Sequence, residues 1–548
     1  MSDYQRACLK LLLLSLAVRL LVALLLTGPP YMDAYYYTAG AYQLAEGDGL
    51  TEPFIWNYLD DPAGLPHPGF LYWMPIPSIL AAPFVALLGR SFLAAQLPFI
   101  LLSALLPLVS YSIAWRVAGS RRQAWAAALL TLFSGFFTPF WVLPETFAPF
   151  ALFGSLALWC AGGRRQEAGG GRQEAGGWLV VGLLIGLAHL TRADGILLLP
   201  VVALAPLLSS QPRATPHASR LTPHISRFTF HVSRLTPHIS RLTFILLGYL
   251  LAMAPWFIRN VNLIGAPLSA AGTKTLWLTD YDDLFCYHCD LSLRSYLAWG
   301  WSNILDSKLF ALWTNFQRLL AEDFMIFLLP FSIVGLYRLR RRAPFTLALI
   351  YLLLIYSVHS LAFTFPGWRG GLFHSSGALL PFLHAAGVIG LDASVRWAAQ
   401  RRRGWNLRQA WVVFTAGIVA LAIILSAYGL FIKLPSWNDS EQIYQTAGAW
   451  LDARQVPDGA IVMVRNPPGF WYHTARPAIV VPNEGIDGLL HAAARYRAAY
   501  LLLDKNYPKP LRPFYAGEEQ DARLKQAAVW GEEGERTVLY TFELKEQP

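Results

Sequence analysis

Apolar residues fall along this chain in long blocks, and the polar stretches between them alternate between rich in arginine and nearly free of it. The blocks cover 9–26, 92–115, 124–140, 147–160, 178–190, 196–208, 244–257, 324–336, 347–363, 372–391 and 411–431. A helix needs about 20 residues to cross the hydrocarbon layer. The pattern therefore predicts a polytopic α-helical membrane protein with about eleven transmembrane helices. One further apolar run, Ile76–Leu88, is short and holds Pro77 and Pro83. Proline interrupts helix interiors, so this run predicts a helix lying along or re-entering the membrane surface.

Arginine clusters sit at 116–122, 164–172, 213–241, 338–342 and 396–408. Cytoplasmic loops carry the excess of Arg and Lys. With these loops inside, the segments 31–73, 141–147, 191–195, 259–320, 364–371 and everything after 432 lie outside. The scheme closes only if Ile76–Leu88 does not cross. It puts the N-terminus in the cytoplasm and the C-terminus outside, as expected of a multi-pass protein of a bacterial-type plasma membrane. MSDYQRACLK leads into the first block with no small-residue cleavage site soon after it, which predicts a retained first helix.

From residue 435 the pattern changes to short apolar runs at 460–464, 478–481, 500–503 and 537–542, with amphipathic stretches at 444–454 and 486–497. These predict strands and helices of a small extracytoplasmic α/β domain over 435–548, following a transmembrane unit over 1–434. Its bland reading is an appendage that packs or shapes an acceptor site.

Composition agrees with this class. Hydrophobic residues make up 55% and charged residues 14%, against roughly 25% charged in soluble domains. The net charge of +10 is carried by the inner loops and does not call for nucleic acid. RQEAGG occurs at 165–170 and again at 172–177, and four related heptapeptides, beginning with TPHASRL, fill 215–242. Their regular histidines suggest metal and their heptads a coiled coil. Three of the four units contain proline, however, and 210–242 reads as a duplicated low-complexity cytoplasmic insertion rather than a sustained helix. Cys8 and Cys160 lie in apolar blocks. Cys286 and Cys289 form CYHC in a polar loop, a disulfide or metal pair.

The first outer loop, within 28–90, is unlike its surroundings. Between 31 and 73 it holds Asp33, Glu46, Asp48, Glu52, Asp60, Asp61 and His67 among many aromatics, with no Lys or Arg. The other outer loops also carry polar residues at their tips: Glu145 in PETF, Arg192 and Asp194 in LTRADG, Arg259 in WFIRN, then Arg369 and His374. Ionisable residues at span ends are often simply solvated. Their convergence on one face is what suggests chemistry. Asp33, Glu145 and Asp194 are candidates to activate a hydroxyl or hold a divalent ion. Arg192, Arg259 and Arg369, with His374, are candidates to hold a phosphate. Tyr35, Tyr36, Trp56, Tyr72 and Trp73 are candidates to stack on sugar faces or to anchor the loop at headgroup level.

Six stretches then carry a family resemblance: Asp33 with its trailing YYY, HPGFLYWMPIPSIL (67–80), PETFAPF (144–150), GLAHLTRADGILLLP (186–200), PWFIRNVNLIGAP (255–267) and HSSGALLPFL (374–383). In this order, over roughly 9–432, the chain resembles the GT-C superfamily of polyprenyl-phosphate-dependent glycosyltransferases. In particular it resembles bacterial relatives of protein O-mannosyltransferases and of the lipid A aminoarabinose transferase. The resemblance implies transfer of a sugar from a polyprenyl-phosphate carrier to an acceptor hydroxyl on a protein, lipid or glycan, at the outer face. It also implies that Asp33, the first-loop acid, is the catalytic or acceptor-orienting carboxylate. The family's common second acid is missing, because Ala34 follows Asp33. A partner carboxylate then has to come from another loop, as Glu145 or Asp194. His67 falls where relatives often place a polar residue, as metal ligand or structural cap.

Two other classes remain open to the sequence: a transporter or flippase of lipid-linked sugars, and a non-catalytic component of surface-polysaccharide assembly. A transporter calls for charges buried in mid-span or for broken helices. The charges noted above all sit near block ends.

Overall fold

The computed structural model describes residues 2–163, 171–205, 226–402, 404–439, 442–532 and 535–543. The first RQEAGG copy and residues 210–225 of the insertion lie outside the described residues.

The apolar blocks are built on helices. Six are long and apolar enough to cross a membrane: Asp3–Leu24, Phe92–Ala118, Ile239–Ile264, Ala343–Ala362, Thr364–Ala399 and the helix beginning at Leu407. A seventh counts if Arg121–Leu132 and Gly135–Val142, bent by 65°, form one span. Phe147–Gly163, Ala175–Thr191, Ala193–Ala203 and Leu329–Leu339 are apolar but shorter. The chain is thus a multi-pass membrane protein. The bend falls where Gly135, in the left-handed region, starts a 3₁₀ turn containing Pro139. Within the insertion the structure differs from expectation, because Ser226–Ile264 is one helix that takes in residues 226–242. The unit TFHVSRL has no proline, so from 226 onward the array meets only Pro237.

Ile76–Leu88 forms a 13-residue helix, about 20 Å long against a hydrocarbon layer of about 30 Å. It packs on Met32–Glu46, the helix that follows the first apolar helix. The contact is close at Gly40. A Cβ there would stand 2.8 Å from Ser78 Oγ and 2.7 Å from Phe70 Cζ, and Ser78 Oγ donates to Tyr37 O at 2.8 Å. The stretch 259–320, read as a loop, instead holds the helices Ala271–Lys274, Leu293–Ala298 and Trp301–Arg318.

The C-terminal region folds as a six-stranded sheet in the order Phe54–Ile55, Ala478–Val480, Ile461–Val464, Ala498–Leu503, Thr537–Phe542, Leu524–Trp530. The first four strands are parallel and the last two antiparallel. Val462, Met463, Val464 and Ile479 are fully buried, as expected of central parallel strands covered on both faces. Phe54 pairs with Ala478 and Ile55 with Ile479. The edge strand is therefore supplied by the loop after the first apolar helix, which sequence reading assigned wholly to the membrane unit. More bonds tie the two: Tyr58 OH donates to Val480 O, Tyr496 OH to Pro62 O at 2.7 Å, and Arg495 pairs with Asp61 at 2.6 Å.

Candidate functional site

A cavity of about 760 Å³ opens where the 31–74 loop, the PETF and TRADG tips, the 268–284 segment and the 358–374 segment meet. Asp33, Glu145, Arg192, Asp194, Arg369 and His374 all line it, as do Tyr72, Trp73 and Trp56.

Asp33 sits in the first turn of Met32–Glu46, with Tyr31 as the preceding cap residue. The free N–H groups and dipole of a helix start favour a carboxylate there. Part of the residue faces the cavity, but protein surrounds its carboxyl. Burial pushes its pKa up to about 6, against the opposing pull of Arg192 and of backbone hydrogen bonding. Glu145 is almost completely buried. Its carboxyl is held well above the usual range, by burial first and then by the negative charge of Asp33. Asp33, Glu145 and His374 each offer a ligand atom within 4.8 Å of the others. The His374 ring lies stacked on Phe147 at 3.9 Å, and its Nδ1 meets Thr146 Oγ1 at 2.8 Å.

Asp194 has a different environment. It takes Arg192 Nε at 3.1 Å and Nη2 at 3.4 Å on its two oxygens, His359 Nε2 at 2.9 Å, and the Ser375 hydroxyl. Its acceptor capacity is used inside the protein. The pair holds Arg192 at the cavity wall with Nη1 uncommitted to Asp194. Arg369 pairs with no carboxylate among the described residues. Its guanidinium lies over Tyr281 at 4.5 Å and Trp368 at 5.6 Å.

Four residues singled out in the sequence lie off the cavity lining. Arg259 donates to Leu50 O at 3.1 Å and Gly69 O at 2.8 Å and rests on the Trp256 ring. It braces the first loop. His67 pairs with Asp60 at 3.0 Å. Tyr36 donates to Glu52 and packs on Phe54, Phe70 and Trp73. Tyr35 meets His473 at 3.2 Å. The helical period explains the tyrosines: Asp33 and Tyr37, four apart, share the cavity face, while Tyr35 and Tyr36 turn into the packing. Trp56 and Trp73 stack on each other at 3.9 Å, leaving a shared flat wall.

Residues that sequence reading missed include Tyr37, Thr146, Tyr281, Arg318, His359 and Lys433, all on the lining. Arg318 ends the amphipathic helix Trp301–Arg318, donating to Glu322 at 3.0 Å and Trp368 O at 2.6 Å. The apolar stripe of that helix was the available signal, and it was read as loop. Outside the cavity, Cys286 and Cys289 form a disulfide.

The family model for dolichyl-phosphate-mannose-protein mannosyltransferase matches residues 67–240. No curated protein sequence matches the chain. Among solved structures, ArnT from Cupriavidus metallidurans in the apo state is similar at a TM-score of 0.55 and 14% identity, with 97% of this chain and 98% of that one covered. ArnT from the same organism bound to undecaprenyl phosphate gives a TM-score of 0.51 at 14% identity, covering 98% of each chain. The archaeal oligosaccharyltransferase AglB from Archaeoglobus fulgidus, in complex with an inhibitory peptide and a dolichol-phosphate, gives 0.53 at 13% identity, covering 100% of this chain and 75% of that one. The chain thus shares the overall fold of these structures.

Proposed function

We propose that the protein is a membrane glycosyltransferase that moves a sugar from a polyprenyl-phosphate carrier to an acceptor hydroxyl at the outer face of the membrane. The observation that carries this reading is the meeting of Asp33, Glu145, Arg192 and Arg369, from four separate segments, around one cavity. Solved relatives in fold that hold undecaprenyl phosphate or dolichol-phosphate support it.

In this reading Asp33 accepts the acceptor hydroxyl's proton as that oxygen attacks the anomeric carbon. The C–O bond to the carrier phosphate breaks, and the phosphate leaves as an anion that needs no protonation. Arg369 and the uncommitted Nη1 of Arg192 hold its charge. Such fixed charge stabilisation contributes on the order of 3–4 kcal/mol per donor. Glu145, its carboxyl pushed well above the usual range by burial and by the Asp33 charge, limits the build-up of negative charge beside Asp33. Tyr72, Trp73 and Trp56 form the sugar wall. Asp33, Glu145 and His374 have the donor set for a divalent ion, which would hold them and add a positive charge facing the phosphate.

The test uses membranes containing the protein and a polyprenyl-phosphate carrier with a labelled hexose or pentose. Label is expected to leave the lipid fraction for a protein, lipid or glycan acceptor, and Asp33→Asn is expected to stop it. Movement of intact labelled lipid across the bilayer without sugar transfer would establish the transporter reading instead.

A further inference from the structure

The first span carries an arginine that the cavity does not use. Arg19 is completely buried within Asp3–Leu24, and among the described residues its Nε, Nη1 and Nη2 have no hydrogen-bond partner. The guanidinium carbon lies 5.8 Å from the centroid of the Trp141 ring. Three more buried polar atoms with no partner among the described residues lie on the three elements that pack together here: Ser15 Oγ, Gln96 Nε2 and Thr138 Oγ1. Ser15 is one helical turn from Arg19, on the same face. Thr138 lies one 3₁₀ turn before Trp141 in Gly135–Val142.

Helix register brings Gln96 in as well. Tyr4 OH meets Ser112 Oγ at 2.7 Å at one end of the pair Asp3–Leu24 and Phe92–Ala118, while Val22 clusters with Phe92 at the other. The helices therefore run antiparallel, and about fifteen residues along each from the Tyr4–Ser112 contact lead to Arg19 on one and Gln96 on the other.

A guanidinium keeps its proton at any physiological pH. Water could satisfy single N–H groups, but it leaves a whole positive charge uncompensated inside an apolar helix packing. No carboxylate pairs with Arg19 among the described residues. The amide N–H of Gln96 and the two hydroxyls are further unpartnered donors on the same three elements. Complete enclosure leaves no path for a headgroup phosphate or other bulky anion.

We propose that Arg19 binds a small monovalent inorganic anion of the halide class, held between the first span, Phe92–Ala118 and the turn Gly135–Val142. The anion supplies the missing counter-charge and accepts from Arg19, Gln96 and the hydroxyls. Because Trp141 stacks on Phe137 at 5.3 Å, and Phe137 contacts Phe373 of the cavity lining at 4.2 Å, the site backs the cavity floor.

The experiment compares detergent-solubilised protein in sodium bromide, sodium chloride and sodium gluconate at equal ionic strength. Binding to the folded state alone raises the melting temperature with the logarithm of free halide. Both halides are expected to do so in wild type, the effect to vanish in Arg19→Leu, and to weaken in Gln96→Leu. Crystals grown in bromide are expected to show an anomalous peak in contact with the Arg19 guanidinium. Equal melting in halide and gluconate, or a bromide data set with no peak at Arg19, overturns the proposal. The bromide measurement on wild type decides it even if Arg19→Leu does not fold.

Discussion

Glu145 Oε1 stands 3.3 Å from His374 Nδ1, and Asp33 offers an oxygen within 4.8 Å of both. Residues from three segments far apart in the chain are thereby held as one cluster. Burial and the neighbouring Asp33 charge push the Glu145 carboxyl well above the usual range. The proposed reaction divides the cluster into a base, Asp33, and its neighbours Glu145 and His374.

That division sets a pH profile. A base must be deprotonated, and Asp33 loses its proton at about pH 6. Sugar transfer at limiting donor is expected to rise with pH through that value and then level off. Glu145→Gln, which leaves Asp33 in place, is expected to retain the rise. Transfer rates independent of pH across this window would remove Asp33 from the base role.

A second buried carboxyl affects stability. Glu52 accepts from Tyr36 OH and from Phe70 N at 2.8 Å, and burial pushes its pKa up to about 7 from 4.5. The folded state thus binds this proton more tightly than the unfolded chain. Its contribution is fully present below about pH 4.5 and is lost as pH rises through about 7, a loss of order 3 kcal/mol. Glu52→Gln is expected to flatten this part of the stability curve, read by thermal melts at several pH values.

Asp194 is expected to act through Arg192. Asp194→Asn leaves a buried guanidinium without its carboxylate, at a cost of about 3–5 kcal/mol. It is expected to lower transfer about as much as Arg192→Gln does. The double variant is expected to be little worse than either single one, since both disable one unit. Fully additive losses would give Asp194 a separate role.

The two-residue strand Phe54–Ile55 ties the first loop to the C-terminal sheet. Phe54 is 1% exposed. Phe54→Ala is expected to cost about 3–5 kcal/mol, and because Trp56 follows two residues on, to raise KM for the sugar donor as well. Melting and transfer assays on the same preparation check both.

Much of this was legible in the sequence. Hydrophobic blocks marked the helices, because apolar length is what a bilayer demands, and the loop tips yielded Asp33, Glu145, Arg192 and Arg369. What stayed hidden depended on contacts between segments. Nothing local in Leu50–Gly69 says that Arg259 will be spent on backbone carbonyls there, or that Asp194 will be saturated by His359 and Ser375. A strand of two residues, Phe54–Ile55, has no periodicity to detect. Arg19, inside an otherwise apolar block, was visible as a letter, but its burial without a partner is a property of the packing.

The most direct measurement is sugar transfer by Asp33→Asn in membranes supplied with a labelled polyprenyl-phosphate sugar. The substitution keeps the side chain's size while removing the base. The account predicts a fall in kcat of about 10²–10⁴-fold, with KM for the donor little changed and with wild-type melting behaviour. Transfer at the wild-type rate by a correctly folded Asp33→Asn protein would contradict it.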